Sequence, residues 1–120
     1  MEINITTQLE NDFAIIFVNG ELDDYNAPTL NDLLSEIINI QKYYKIIINL
    51  EGTMYLDSIG LGTIAIAASK VAKNNGVLNI VCTKPQIIKL LNASGMVSMI
   101  KRNIKIYDDL DQAKKALSNN

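Results

Sequence analysis

Two short stretches hold the side chains best suited to chemistry: "GELDDY" at Gly20–Tyr25 and "YLDSIGLG" at Tyr55–Gly62. Between them they supply Asp23, Asp24, Asp57 and Ser58. Neighbouring carboxylates can hold a cation or move a proton, and a hydroxyl beside a carboxylate can accept a phosphoryl group. Each of the first two uses needs further partners. The 120-residue chain has no histidine, and Cys82 is its one cysteine. That removes the common zinc sites, disulfides, Ser-His and Cys-His nucleophiles and imidazole acid–base chemistry. No nucleophile with its own base can be assembled, so an independent enzyme is not expected. The "GLG" at Gly60–Gly62 lacks the lysine and spacing of a phosphate-binding loop, and no dinucleotide fingerprint is present, so no cofactor and no metal is expected. Phosphoryl acceptance by Ser58 is physically reasonable, and a purely structural role for the same residues stands beside it.

The position of Ser58 gives it two readings. The chain passes there from the apolar run "KIIINL" region into a helix that starts near Ser58, and either Asp57 or Ser58 could cap the exposed N–H groups for about 1 kcal/mol. In the functional reading, Gly60 and Gly62, poor helix formers, keep the surroundings of Ser58 open to the backbone of a partner. A phosphate on Ser58 would face N–H donors and the positive end of the helix dipole, with Asp57 repelling it. Asp23 and Asp24 read equally well as a solvated turn before Asn26.

The elements that must position these groups follow from periodicity. "EINITTQ" and "DFAIIFVNG" read as two adjacent strands, and "NAPTLNDLLSEIINIQK" as an amphipathic helix with Asn26 as N-cap and Pro28 in its first turn. "KIIINL" reads as a central strand covered on both faces. The helix from Ser58 stops at "NNG", ending at Gly76. "VLNIVC" is a second buried strand containing a core thiol at Cys82. Thr83 is placed to cap the helix "KPQIIKLLNAS", which Gly95 ends, and Met96 and Met99 beyond it read as core or interface filler. "NIKIY" reads as an edge strand. "DDLDQAKKAL" reads as a terminal helix in which Asp108, Asp109 and Asp111 complement the helix dipole. The order predicts one α/β domain over residues 1–120, a sheet flanked by about four helices with right-handed parallel crossovers.

Composition bounds the partners. With 11 basic and 13 acidic residues the formal charge is -2, without a basic block, so nucleic acid is not an expected partner. The first ten residues, "MEINITTQLE", have neither a basic nor an apolar leader region, and no apolar run approaches the roughly 20 residues that span a bilayer. A cytoplasmic protein without membrane insertion is the expectation.

Three stretches together carry a resemblance: "GELDDYNAPTL" at Gly20–Leu30, "YLDSIGLGTI" at Tyr55–Ile64 and "NASGMVSMI" at Asn92–Ile100. In this order and separation they resemble the STAS-domain family, particularly its anti-sigma factor antagonists, over essentially the whole chain. The resemblance implies a mixed sheet flanked by helices and a switch serine at Ser58. It implies an unphosphorylated form that sequesters an anti-sigma factor, itself a GHKL-type serine kinase, and so releases a sigma factor; a serine phosphatase would reverse the modification. Asp23 and Asp57 match the family's acidic positions beside the switch, and Asp23, Asp57, Ser58, Ile59 and Gly60 are the expected partner-binding residues. Ile59 departs from the small residue often found after the switch serine, a departure that bears on kinase choice and local packing.

Two other readings compete. A STAS module can serve as a subunit of a lipid-transport ATPase or of a large stress-signalling assembly without using the serine switch. A phosphoaspartate receiver is suggested by Asp23-Asp24, Asp57 and Lys84-Pro85. It fails on placement, because "IIINL" ends without the Asp that should project from the end of that strand.

Overall fold

The computed structural model describes residues 3–95 and 103–118. Strand β1 (Ile3–Glu10) and strand β2 (Phe13–Leu22) form an antiparallel hairpin in full register from Ile3 opposite Gly20 to Glu10 opposite Phe13. The polar break is shorter than "LEND": only Asn11 and Asp12 turn the chain, and Leu9 and Glu10 remain in β1. Helix α1 (Ala27–Ser35) runs on into a π-helical turn (Glu36–Ile40) before strand β3 (Lys45–Asn49). Then come β4 (Thr53–Leu56), α2 (Ser58–Lys73), β5 (Val77–Val81), α3 (Pro85–Ala93), β6 (Ile104–Tyr107) and α4 (Leu110–Ser118).

The six strands make one mixed sheet in the order β1-β2-β3-β5-β6. All its pairs beyond the hairpin are parallel. Strand β4 was not anticipated from the sequence. It is four residues long and pairs with the far end of β2, beyond the stretch that β3 occupies. Its TMYL sequence shows no clear alternation because only Thr53 and Leu56 are buried.

Alternation along the central strands sorts their side chains into two layers. Ala14, Ile16, Val18, Ile46, Ile48, Leu78 and Ile80 face the larger core under α1, α2 and α3. Ile15, Ile47 and Val81 face the other way, against Ala113 and Leu117 of α4. The KIIIN strand is thus covered on both faces, which is why it carries three consecutive isoleucines, each fully buried. Asn79, at an α4-facing position, donates its side-chain amide to the Ala113 carbonyl at 3.2 Å and so ties the helix to the sheet.

Three local expectations are corrected. Asn26 precedes α1, but its side chain makes no cap bond; its amide donates to the Glu21 carbonyl at 2.8 Å. Thr83 does not cap α3, whose N-cap is Lys84; the Thr83 hydroxyl and amide N–H instead bond the Glu51 carboxylate across the ends of neighbouring strands. The stop at "NNG" is met: α2 ends at Lys73, and the left-handed residue after it is Asn75 (φ 59°). Gly76 is required for a different reason: a Cβ there would lie 1.9 Å from the Tyr44 carbonyl oxygen. The helix "NAPTLNDLLSEIINIQK" is α-helical only to Ser35 and closes with the π turn. Gly95, at φ 80°, does end α3 as expected. The expectations for Met96 and Met99 fall outside the described residues.

Candidate functional site

The two acidic stretches of the sequence are adjacent strand ends in space. Gly20 adopts φ 117°, a left-handed value that favours glycine, and there the pairing of β2 with β4 shifts register. Beyond that bulge Glu21 lies opposite Tyr55 and Leu22 opposite Leu56. The next link is the Asp57 amide, which donates to the Leu22 carbonyl at 3.2 Å. The β2–α1 loop and the start of α2 therefore leave the sheet side by side.

Asp57 organises this junction. It has extended backbone, and its Oδ1 accepts from the Ile59 amide at 3.0 Å and the Gly60 amide at 2.9 Å, the geometry of an N-cap. Its Oδ2 accepts from the Asp24 amide at 2.9 Å. One carboxylate thus closes the helix end and holds the facing loop. Asp23 acts locally: its Oδ1 accepts from the Asn26 amide at 2.9 Å and its carbonyl from the Ala27 amide at 2.8 Å, a turn that launches α1. The residue bonded across to α2 is Asp24, through its backbone, an interaction that side-chain chemistry in the sequence could not signal.

The cap role being filled by Asp57, Ser58 is left as the first helical residue. It is exposed, and its hydroxyl makes no hydrogen bond among the described residues. The nearby threonines differ. Thr53 is fully buried and donates to the Val18 carbonyl at 2.7 Å, and Thr63 is buried with its hydroxyl on the Ile59 carbonyl at 3.3 Å.

The two glycines of the helix start are not alike. A Cβ at Gly60 would lie 2.5 Å from the Leu22 carbonyl oxygen, so Gly60 is buried where α2 crosses the end of β2. What comes close to it within the fold is this chain's own backbone. A Cβ at Gly62 would meet nothing within 4 Å. Ile59 points outward, half exposed, and so disturbs no packing. The sequence also gave no sign of the apolar company around the serine. Tyr25 (81% exposed), Tyr55 (51%) and Ile59 (54%) all lie within two residues of the Asp24–Asp57 bond, and Met54, which precedes Tyr55 on β4, is 72% exposed.

The sequence profile of the STAS domain matches residues 4–113. The chain belongs to the STAS domain family. A relative in Staphylococcus aureus, an anti-sigma-B factor antagonist, is 30% identical over 103 residues, covering 86% of this chain and 94% of the relative. Among solved structures, an anti-sigma factor antagonist from Mycobacterium paratuberculosis superposes with a TM-score of 0.85 at 22% identity, covering 98% of this chain and 95% of that one. The Bacillus cell fate determinant SpoIIAA in its phosphorylated form gives 0.73 at 18% identity, covering 94% and 99%. The mixed six-stranded sheet and four helices described above are the STAS fold. No helix among the described residues is long and apolar enough to cross a membrane.

Proposed function

We propose that this STAS domain is an anti-sigma factor antagonist: a binding module, without catalysis of its own, that sequesters an anti-sigma factor and is switched by phosphorylation of Ser58. The carrying observation is the division of labour at the start of α2. Asp57 takes the N-cap, so the Ser58 hydroxyl is exposed and uncommitted, while Thr53 and Thr63 are buried and bonded. The family and the naming of its relatives supply the class of partner.

The contact surface is the apolar rim of Tyr25, Tyr55, Ile59 and Met54 together with the acidic Asp23 and Asp24. Aromatic anchors with a charged edge suit a protein partner. The kinase that modifies Ser58 is the anti-sigma factor itself, of the GHKL type, and a serine phosphatase restores the active form. On phosphorylation, about -1.5 to -2 charges are added next to Asp57. Two of the helix N–H donors that could receive them are already bonded to that carboxylate. At a closed interface this charge would be desolvated without a partner, which costs several kcal/mol.

The test is capture from native lysate followed by in vitro phosphorylation with the captured kinase. Retention of a GHKL-type kinase, with phosphate mapping to Ser58, is the expected result. Retention of a transport ATPase in its place, or phosphate chiefly on Thr53 or Thr63, would overturn the reading.

A further inference from the structure

At the far end of α2, about 22 Å along its axis from Ser58, lies a surface cavity of about 260 Å³. Lys70, Lys73 and Asn74 line it from α2, Ile38 from the π turn, and Lys42 and Tyr44 from the segment entering β3. Three of its lining residues are lysines and none is acidic. Among the described residues none of these lysines is in an ion pair, whereas Lys45 and Lys114 are bonded to Asp12 and Glu10.

Lysines near a helix end ordinarily complement the dipole. Here that role is largely filled by others. The Val71 carbonyl accepts from the Gly76 amide at 2.7 Å, and the Lys70 carbonyl from the Asn74 side chain at 3.0 Å. At the end of the π turn the Glu36 carbonyl accepts from Gln41 and the Ile37 carbonyl from Tyr43. Two helix ends contribute about half a negative charge each, against three ammonium groups, so the cavity keeps a net positive charge of about two.

Two helix ends meet at this place, and the residue after each C-cap is left-handed. Lys42 (φ 64°) and Asn75 (φ 59°) are the two non-glycine residues in the left-handed region among the described residues. One lines the cavity and the other follows a residue that does. A π turn supplies part of the wall, and the absence of a Cβ at Gly76 lets the Tyr44 backbone lie against the start of β5. π turns are frequent at functional sites, while a left-handed residue just past a C-cap is an ordinary helix stop.

We propose that this cavity binds a small multivalent phosphate-type anion, held by Lys42, Lys70 and Lys73 with the Tyr44 ring and Ile38 as its apolar wall. The site is separate from the Ser58 surface and does not depend on the partner reading above. The test titrates inorganic pyrophosphate into the full chain at moderate salt, followed by amide NMR. Half-saturation below about 1 mM, with shifts at Lys42, Tyr44 and Asn74, is expected. The doubly substituted Lys70→Gln/Lys73→Gln protein should bind at least tenfold more weakly, while Lys105→Gln on β6 and Ser58→Ala bind as the parent does. Should the double variant fail to fold, Lys42→Gln, at an exposed position, should still weaken binding several-fold. Half-saturation above about 1 mM, shifts confined to the amides of Ser58–Gly60, or equal affinity in the lysine variants would overturn the proposal. So would sedimentation with phosphatidylserine vesicles in the absence of any response to pyrophosphate, which would assign the lysines to a membrane surface.

Discussion

Asp57 and Ser58 are neighbours with separable work. Asp57→Ala removes two helix-capping bonds and the tie to the Asp24 amide. It should cost about 1 to 2 kcal/mol, read as a lower urea midpoint with unchanged slope. Ser58→Ala removes no hydrogen bond, so its stability should match the parent while its binding to the anti-sigma factor persists in the presence of kinase and ATP. A comparable loss of stability in Ser58→Ala would show that the serine is a cap after all. The glycine pair gives a second contrast. Gly60→Ala drives a Cβ into the Leu22 carbonyl and should destabilise by about 1 to 3 kcal/mol, whereas Gly62→Ala has open space and should be neutral or stabilising by up to about 1 kcal/mol. Thermal midpoints of the two variants measured side by side decide this.

At the scale of elements, the close of β5 shows how a strand end handles its polar and reactive groups. Cys82 is fully buried, and burial pushes its thiol pKa up, only partly offset by a hydrogen bond from the Lys84 backbone; its S–H faces the Lys84 carbonyl at 3.9 Å. A raised folded value means that the unfolded chain loses this proton first as pH rises. The thiol's contribution to stability is therefore complete below the unfolded pKa of about 8.5 and declines as pH climbs beyond it. Native protein at pH 7.5 should resist a thiol reagent that labels it rapidly in denaturant, and Cys82→Ala should flatten the loss of stability as pH rises above about 8.5. Rapid labelling of the native chain would refute the buried assignment. The same strand ends are clamped by Glu51, which accepts from the Thr83 amide at 2.9 Å while the Lys84 ammonium bonds its carbonyl.

For the whole molecule the decisive feature is the unequal cover of the sheet. Three helices share one face, and α4 alone covers the other with Ala113 and Leu117. Leu117→Ala, at a position 2% exposed, should cost about 2 to 5 kcal/mol, because no neighbouring helix can collapse into the gap. Ser58 lies in neither core, and a charge placed there leaves both intact. Phosphorylated protein or Ser58→Asp should keep its circular dichroism and approximate melting temperature, yet bind the anti-sigma factor at least about tenfold more weakly, a difference of about 1.4 kcal/mol. Equal affinity of the two forms in a titration, or gross loss of secondary structure on phosphorylation, would rule out a switch that acts at the interface.

The sequence by itself determined the elements whose hydrophobic period is strong. The three consecutive isoleucines of the KIIIN run read as a strand buried on both faces, and the apolar spacing from Leu61 to Ala72 as a helix. Three ordered motif stretches also carried the resemblance to the family. What it left open were choices among equivalent groups. Asp57 and Ser58 are both good caps, and only the position of Leu22 and the Asp24 amide shows that the aspartate takes the helix end and frees the serine. Gly60 and Gly62 are the same residue two places apart, and only the crossing of α2 over β2 makes one indispensable and the other not. β4 was invisible because a four-residue strand with two buried side chains has no period to read. Local pattern records which side chains avoid water. Which of two polar neighbours is consumed by the fold and which is left for a partner depends on atoms brought from 33 residues away, and those the tertiary structure alone supplies.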